Sequence, residues 1–275
     1  MKIGKVEVNK EEFRDYENAN DKVKDFYKVN HTNQTYEYVT NMKNRIFPLK
    51  NKSTFRNLNN IINQIVDESD PDCDNNQMIH NVLTAEACKI LFPDEDYMHL
   101  VGFLHDYGKV LIDKKLYSLP QWSVVGDTFP VGCEFSKKNI YYDYFRENPD
   151  SNHEIYSTKL GVYKEKCGFN NVHFSFSHDE YMYQLIKENM RTNNKIPEEA
   201  LYIIRYHSFY AWHQHGEYSY LASEYDNQQY ERLKKFQMAD LYLKKEKVEN
   251  IEEKINYYNS LIEKYICGLD EEILI

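Results

Sequence analysis

Val101–Val110 reads VGFLHDYGKV, an apolar run that closes on a histidine, an aspartate and a lysine. Val101, Phe103 and Leu104 belong in a core, and a carboxylate carried in beside them is costly unless it is paired, hydrogen-bonded or bound to a cation. Asp106 therefore needs partners from elsewhere in the chain. His105 and Asp106 are adjacent, about 100° apart around a helix, so both can address one cluster. Lys109, four residues past His105 and three past Asp106, falls on the same side. On its own it reads as a cation answering the helix dipole.

Working outward, the flanking text is helical. NNQMIHNVLTAEACKILF is stopped by Pro93, and DEDYMHLVGFLHDYGKV is opened by acidic residues suited to the positive end of a helix. Upstream, one helix is expected over Asp21 to Thr40, with Asp21 as N-cap and Val23, Phe26, Tyr27 and Asn30 at helical intervals. Leu58, Ile61, Ile62 and Ile65 form an apolar stripe ending before Pro71. Downstream, Ser177 followed by Glu180 has the spacing of a capping box, and Pro197 to Glu199 open a helix through ALYIIRYHSFY. Two more are expected near Tyr230–Lys245 and Glu252–Ile266. Residues 111–174 are punctuated by proline and glycine, and are expected to be irregular with short strands at WSVVG. With neither repeat nor linker, residues 1–275 read as one all-α domain.

Composition narrows the function. A net charge of −10 without a basic block argues against a nucleic-acid surface. No apolar stretch reaches the roughly 18 residues of a membrane span, and MKIGKVEVNKEEF lacks the apolar segment of a secretory signal. Cys73, Cys88, Cys133, Cys167 and Cys267 form no C-x-x-C and are odd in number, which suits reduced thiols in the cytosol. The 25 tyrosines point to a core and pocket walls of amphipathic rings.

Four histidines sit within or at the ends of apolar helical segments: His80, His105, His178 and His207. Asp106 and Asp240 share that setting. One such histidine is more often a satisfied core residue than a ligand; six such side chains on five segments are harder to explain that way. Imidazole and carboxylate suit first-row transition metals without choosing among iron, manganese and zinc. They are too many for one tetrahedral zinc with an open position, and would suit two metals sharing Asp106. Asp179 forms a second His-Asp pair with His178, but its place in a first turn favours dipole stabilisation over ligation. His213 and His215 are read as surface or supporting residues.

The order H…HD…D resembles the HD-domain superfamily, mostly metal-dependent phosphohydrolases. FRDY, DESDPD, TAE, HLVGFLHDYGKV, PQWSVVGDTFPVGC, HDEYMYQ and IRYHSFY, in that order, resemble the myo-inositol oxygenase family from Phe13 to about Gly268. The resemblance implies a single HD-type helical bundle. It also implies a mixed-valent Fe(II)/Fe(III) pair that opens the inositol ring with O2 to D-glucuronate, a four-electron oxidation. On matching positions the first iron falls to His80, His105, Asp106 and Asp240. The second falls to His178 and His207, bridged through Asp106. Substrate contacts are implied for Arg14, Asp67, Glu68, Ser69 and Lys109, which also acts catalytically, and for Gly126, Asp127, His207 and Ser208. Tyr27 matches a lid residue, residues 1–20 an arm contributing to the pocket. A cytosolic monomer acting on a small polyol is expected, with no nucleic-acid or membrane partner.

Two aspartates cancel two of the five charges on such a pair, leaving about +3 to favour a bound alkoxide. The sequence departs from the family pattern at Val110–Pro120, which is longer and more basic, and at Ser177, where glycine is expected. Three competing readings remain. A phosphohydrolase would need cations for its phosphate, and only Lys109 and Arg14 offer them. A diiron oxygenase of another hydroxylated substrate, such as a hydroxylated phosphonate, keeps the same ligands. A non-catalytic scaffold is disfavoured by retention of all six.

Overall fold

A computed structural model describes residues 14–70, 76–242 and 248–275, with the backbone of 2–3 and 6–7. Phe13, the Pro71–Asp72 end of the acidic motif, Cys73 and the expected helix end at Lys245 lie outside the described residues. Ten α-helices are described: α1 (Asp21–Asn33), α2 (Tyr36–Ile46), α3 (Phe55–Ile62), α4 (Gln77–Leu91), α5 (Asp96–Leu104), α6 (His178–Asn189), α7 (Glu198–Tyr206), α8 (Tyr210–His215), α9 (Glu224–Tyr242) and α10 (Ile251–Tyr265). Strands are marginal: β1 (Lys2–Ile3) pairs antiparallel with β2 (Val6–Glu7), and β3 (Lys52–Ser53) with β4 (Ile273–Leu274). The molecule is all-α, as its helical periodicities indicate. Among the described residues no helix is long and apolar enough to cross a membrane.

The centre is built by α4 against α5 and α9, with α7 packed on α5, α6 and α9. Gly102 permits the α4–α5 approach, since a Cβ there would lie 2.8 Å from Ala85 Cα. Buried aromatics fill the remainder, as where Phe169 meets Phe209 and Trp212 edge-on.

Several local expectations are corrected. The stretch from Asp21 to Thr40 is two helices. Asn20, one residue before Asp21, caps α1 by accepting from Val23 N at 3.1 Å. The chain breaks at Gln34, whose amide exchanges two hydrogen bonds with the Phe176 backbone, both 2.9 Å. Thr35 then caps α2. The region 111–174 is indeed irregular, but WSVVG holds a 3-10 turn (Gln121–Ser123) in place of a strand. Ser177 is the N-cap of α6 without a side-chain capping bond. Glu180 is drawn away from the reciprocal role by Arg205, whose Nε donates to it at 2.7 Å.

Candidate metal centre

Five helices and the turn after α5 deliver the six side chains. His80 stands in the first turn of α4, and Asp240 near the end of α9. His105 is the C-cap of α5 and His207 that of α7, while His178 opens α6. Asp106 has already left the helix, with φ −99° and ψ 1°, and starts a 3-10 turn (Tyr107–Ile112) that carries Lys109. All six are buried.

The Asp106 carboxylate divides the cluster. Its Oδ2 lies 3.3 Å from Nε2 of both His80 and His105. Its Oδ1 lies 3.0 Å from His178 Nε2 and 3.5 Å from His207 Nε2. Asp240 Oδ1 completes the first group, 3.1 Å from His80 and 3.4 Å from His105. Within each pair the two Nε2 atoms are 3.3 Å apart. The outer nitrogens fix the ring state: Nδ1 of His105 donates to Gly102 O at 2.9 Å, that of His178 to Val124 O at 2.8 Å, and that of His207 to Ile204 O at 2.9 Å. A neutral imidazole donating through Nδ1 presents a lone pair at Nε2. Lone pairs and carboxylate oxygens aimed at one another at these separations repel unless a cation or protons lie between them. Donors about 2.1 Å from one ion, at about 90–110° to each other, are themselves about 3.0–3.4 Å apart. Both triads, His80–His105–Asp106 and Asp106–His178–His207, can therefore hold a metal.

The electrostatics agree with anionic carboxylates. Where protons rather than a cation fill these gaps, burial would raise the Asp106 carboxyl, but the charges of protonated His105 and of Lys109 outweigh it and hold it well below its ordinary range. Burial opposes ionisation of Asp240 too, and in that same protonated state hydrogen bonds from His105 and His80 overcome it. Lys109 is pulled down by burial and raised overall by Asp106 and Asp67, so it stays charged.

The cavity beside the cluster is lined by Arg14, Asp67, Ser69, Lys109, Gly126 and Asp127, together with Ser208 and Tyr27. Lys109 Nζ donates to Asp67 at 2.6 Å, Asp106 Oδ2 at 2.9 Å and Gln77 at 3.0 Å. Ser69 orients Asp67 through its N–H and hydroxyl, at 2.8 and 2.6 Å. Arg14, held at φ +60°, donates to Asp127 at 2.6 Å and lies 3.5 Å from the Tyr210 ring centroid. The hydroxyls of Tyr16 and Tyr27 meet at 3.2 Å beside Asp127. Gly126 turns the chain at φ +91°, and a Cβ there would crowd the Phe26 ring at 3.1 Å. Glu68 does not line this cavity; its carboxylate faces Lys22 at 3.5 Å, while its N–H donates to Gln121.

Three residues gain a place that sequence spacing did not give them. Asp179 is buried, accepts from Ser208 N at 3.2 Å and Ser208 Oγ at 3.0 Å, and reaches within 3.0 Å of His178 Nε2. That is more than dipole stabilisation. Gln77, one turn before His80, donates to Asp106 Oδ2 at 2.5 Å. Tyr210, three residues past His207, donates to Asp240 Oδ2 at 3.2 Å. Only Gln77, three residues before His80 on α4, stands at a helical offset from a candidate ligand. Buried His213 supports His207 by donating to its carbonyl at 3.1 Å, and His215 is exposed.

Residues 20–271 match the family model described as myo-inositol oxygenase. An inositol oxygenase of Dictyostelium discoideum is 44% identical over 271 residues, covering 96% of this chain and 91% of its own. A probable inositol oxygenase of Oryza sativa subsp. japonica is 46% identical over 92% of this chain and 82% of its own. The inositol oxygenase of Mus musculus is 41% identical over 94% and 90%.

Proposed function

We propose, from the premise that this chain belongs to the myo-inositol oxygenase family, that it is the oxygenase that opens the myo-inositol ring to D-glucuronate with O2, using one iron in each triad. The observation that carries the two-iron reading is Asp106, one oxygen turned toward each imidazole pair. His80, His105, Asp106 and Asp240 would hold the first iron and His178, His207 and Asp106 the second, as a mixed-valent Fe(II)/Fe(III) pair. Bound there, the pair supplies Lewis acidity to a coordinated hydroxyl and exchanges electrons with O2. Overall, four electrons leave the polyol; one oxygen atom of O2 enters the new carboxylate and the other leaves as water.

The chain's own groups bind and orient the polyol. Each of the three N–H bonds of Lys109 has an acceptor. An arriving substrate oxygen exchanges most readily with Asp67, the more exposed of its two carboxylates (12% against 4%), which keeps the bond to Asp106. Ser208 gives its hydroxyl proton to Asp179, so its lone pairs are left to accept from a substrate hydroxyl. Arg14, Asp127, Tyr16 and Tyr27 cover the cavity and exclude water. A site so furnished penalises a ring lacking a hydroxyl, because its own buried groups go unpaired. The reading extends to one domain over residues 1–275, acting as a cytosolic monomer.

The phosphohydrolase and phosphonate alternatives lose support because both cations are already neutralised, Lys109 by Asp67 and Asp106, and Arg14 by Asp127. The test is anaerobic iron loading, then O2 uptake and glucuronate formation with myo-inositol. Two irons per chain and coupled uptake are expected, and Asp106→Ala should lose paired-iron binding and turnover together. Phosphate release from phosphoesters without O2 would replace this reading with a hydrolase.

A further inference from the structure

The two triads differ in what touches their carboxylates. By ligand count, the first has Asp240 and a share of Asp106, while the second has only its share of Asp106. Anionic ligands favour the higher metal charge, so the count alone would place it at the first site. The surrounding hydrogen bonds run the other way. Asp106 Oδ2, facing His80 and His105, accepts from Gln77 Nε2 at 2.5 Å and Lys109 Nζ at 2.9 Å. Asp240 accepts from the Tyr210 hydroxyl at 3.2 Å. Asp106 Oδ1, facing His178 and His207, meets only those two imidazoles among the described contacts. The Asp179 carboxylate adds negative charge there, 3.0 Å from His178 Nε2. A donor on a carboxylate oxygen withdraws electron density and makes it a poorer ligand for the more highly charged ion.

We infer that Gln77 and Tyr210 are positioning residues that hold the first site at the lower charge, and so direct the higher charge to the site of His178 and His207. This rests on the two-iron reading above. Gln77 is fixed in the orientation that this role requires. Its Nε2 also donates to Asn81 Oδ1 at 2.9 Å, and its carbonyl accepts from Lys109 at 3.0 Å, so the amide cannot flip without losing bonds. Tyr210 is held by Arg14 over its ring, 3.5 Å from the centroid.

The couple concerned is loss of one electron from the first-site iron of the mixed-valent pair to an oxidised mediator dye. Wild type, Gln77→Met and Tyr210→Phe are loaded with iron anaerobically, assayed for iron content, and titrated with mediator while the electron-spin signal of the odd-electron pair is followed. Both variants should retain two irons. In both, the ratio of fully oxidised to mixed-valent pair at a fixed potential should rise about tenfold, a fall of about 59 mV for a one-electron couple. Two irons bound with the wild-type potential, or a raised one, overturns the inference. Should Gln77→Met lose iron, Tyr210→Phe, which removes only a hydroxyl, decides alone. A wild-type chain taking up fewer than two irons sinks the two-iron reading instead, so the two failures are distinguishable.

Discussion

At the scale of single residues, Lys109 carries the sharpest expectation. Its ammonium joins Asp67 and Asp106, two carboxylates that would otherwise face each other in a buried site. On the two-iron reading, Lys109→Ala should keep both irons, since no candidate ligand is removed, yet lower kcat/KM by about 10²–10³, the usual loss for one preorganised electrostatic contact. Iron content and O2 uptake on one preparation check this, and unimpaired turnover would remove Lys109 from the chemistry. Ser208→Ala deletes one acceptor and should weaken polyol binding about tenfold, read as a raised KM, the scale of one net hydrogen bond. Ligand-type residues were legible because histidine and aspartate stand out on apolar segments. The bonds of Asp179 to Ser208 went unseen because a first-turn acid usually answers the dipole and a partner 29 residues on has no local signature. Gln77 and Tyr210 escaped for the same reason, since an amide or phenol on a helix looks ordinary until the partner carboxylate is placed.

At the scale of elements, periodicity found the helices but misjudged where they stop, because tertiary partners set the stops. Gln34 interrupts α1 and α2 through the backbone of Phe176, 142 residues away. Capping chemistry is equally contextual: Glu180 binds Arg205, so Ser177 lacks its reciprocal partner. A close approach between elements lies beside the site. A Cβ on Gly108 would sit 2.1 Å from His178 O, so the 3-10 turn carrying Asp106 and Lys109 presses directly on the start of α6. Gly108→Ala must drive these apart. We expect a stability loss of about 3 kcal/mol, at the upper end for overpacking, and selective loss of the iron proposed for His178 and His207. Denaturant unfolding and iron stoichiometry test it; a variant with wild-type stability and two irons would show that the turn yields freely.

At the scale of the molecule, the candidate ligands come from five helices and the turn after α5, so a metal bound there would cross-link the fold. Chelation should lower Tm by about 5–10 °C, given about 2.7 kcal/mol of linkage at a hundredfold excess over Kd and about 2–4 °C per kcal/mol for a chain of this size. Calorimetry with and without chelator measures it, and equal Tm values would mean that the helices hold the site unaided. Acid provides a second check away from the metals. Burial lowers His31 to about 3, although its bond to Ile140 O works the other way. Unfolded histidine titrates near 6.5, so the unfolded chain takes up the proton first. This contribution to stability is complete above about pH 6.5 and falls by about 1.4 kcal/mol per pH unit as pH drops toward 3. Replacing His31 by Gln should flatten the dependence of the urea midpoint on pH between about 6.5 and 5; an unchanged slope would assign the acid sensitivity to other groups. The convergence itself was only partly readable. Spacing proposed six ligands, but the opposite facing of the two Asp106 oxygens emerges only once α4, α5, α6, α7 and α9 are packed.

The Arg14–Asp127 pair and the touching Tyr16 and Tyr27 hydroxyls have a consequence for traffic. On the proposed reading they would act as a latch, filtering by bulk before the metal site filters by chemistry. A bare cyclitol can be shut in, whereas one carrying a phosphate, sugar or lipid tail would prop the gate open and leave the reacting carbons wet. Free cyclitol would therefore have to be released from such conjugates before it could be burned here.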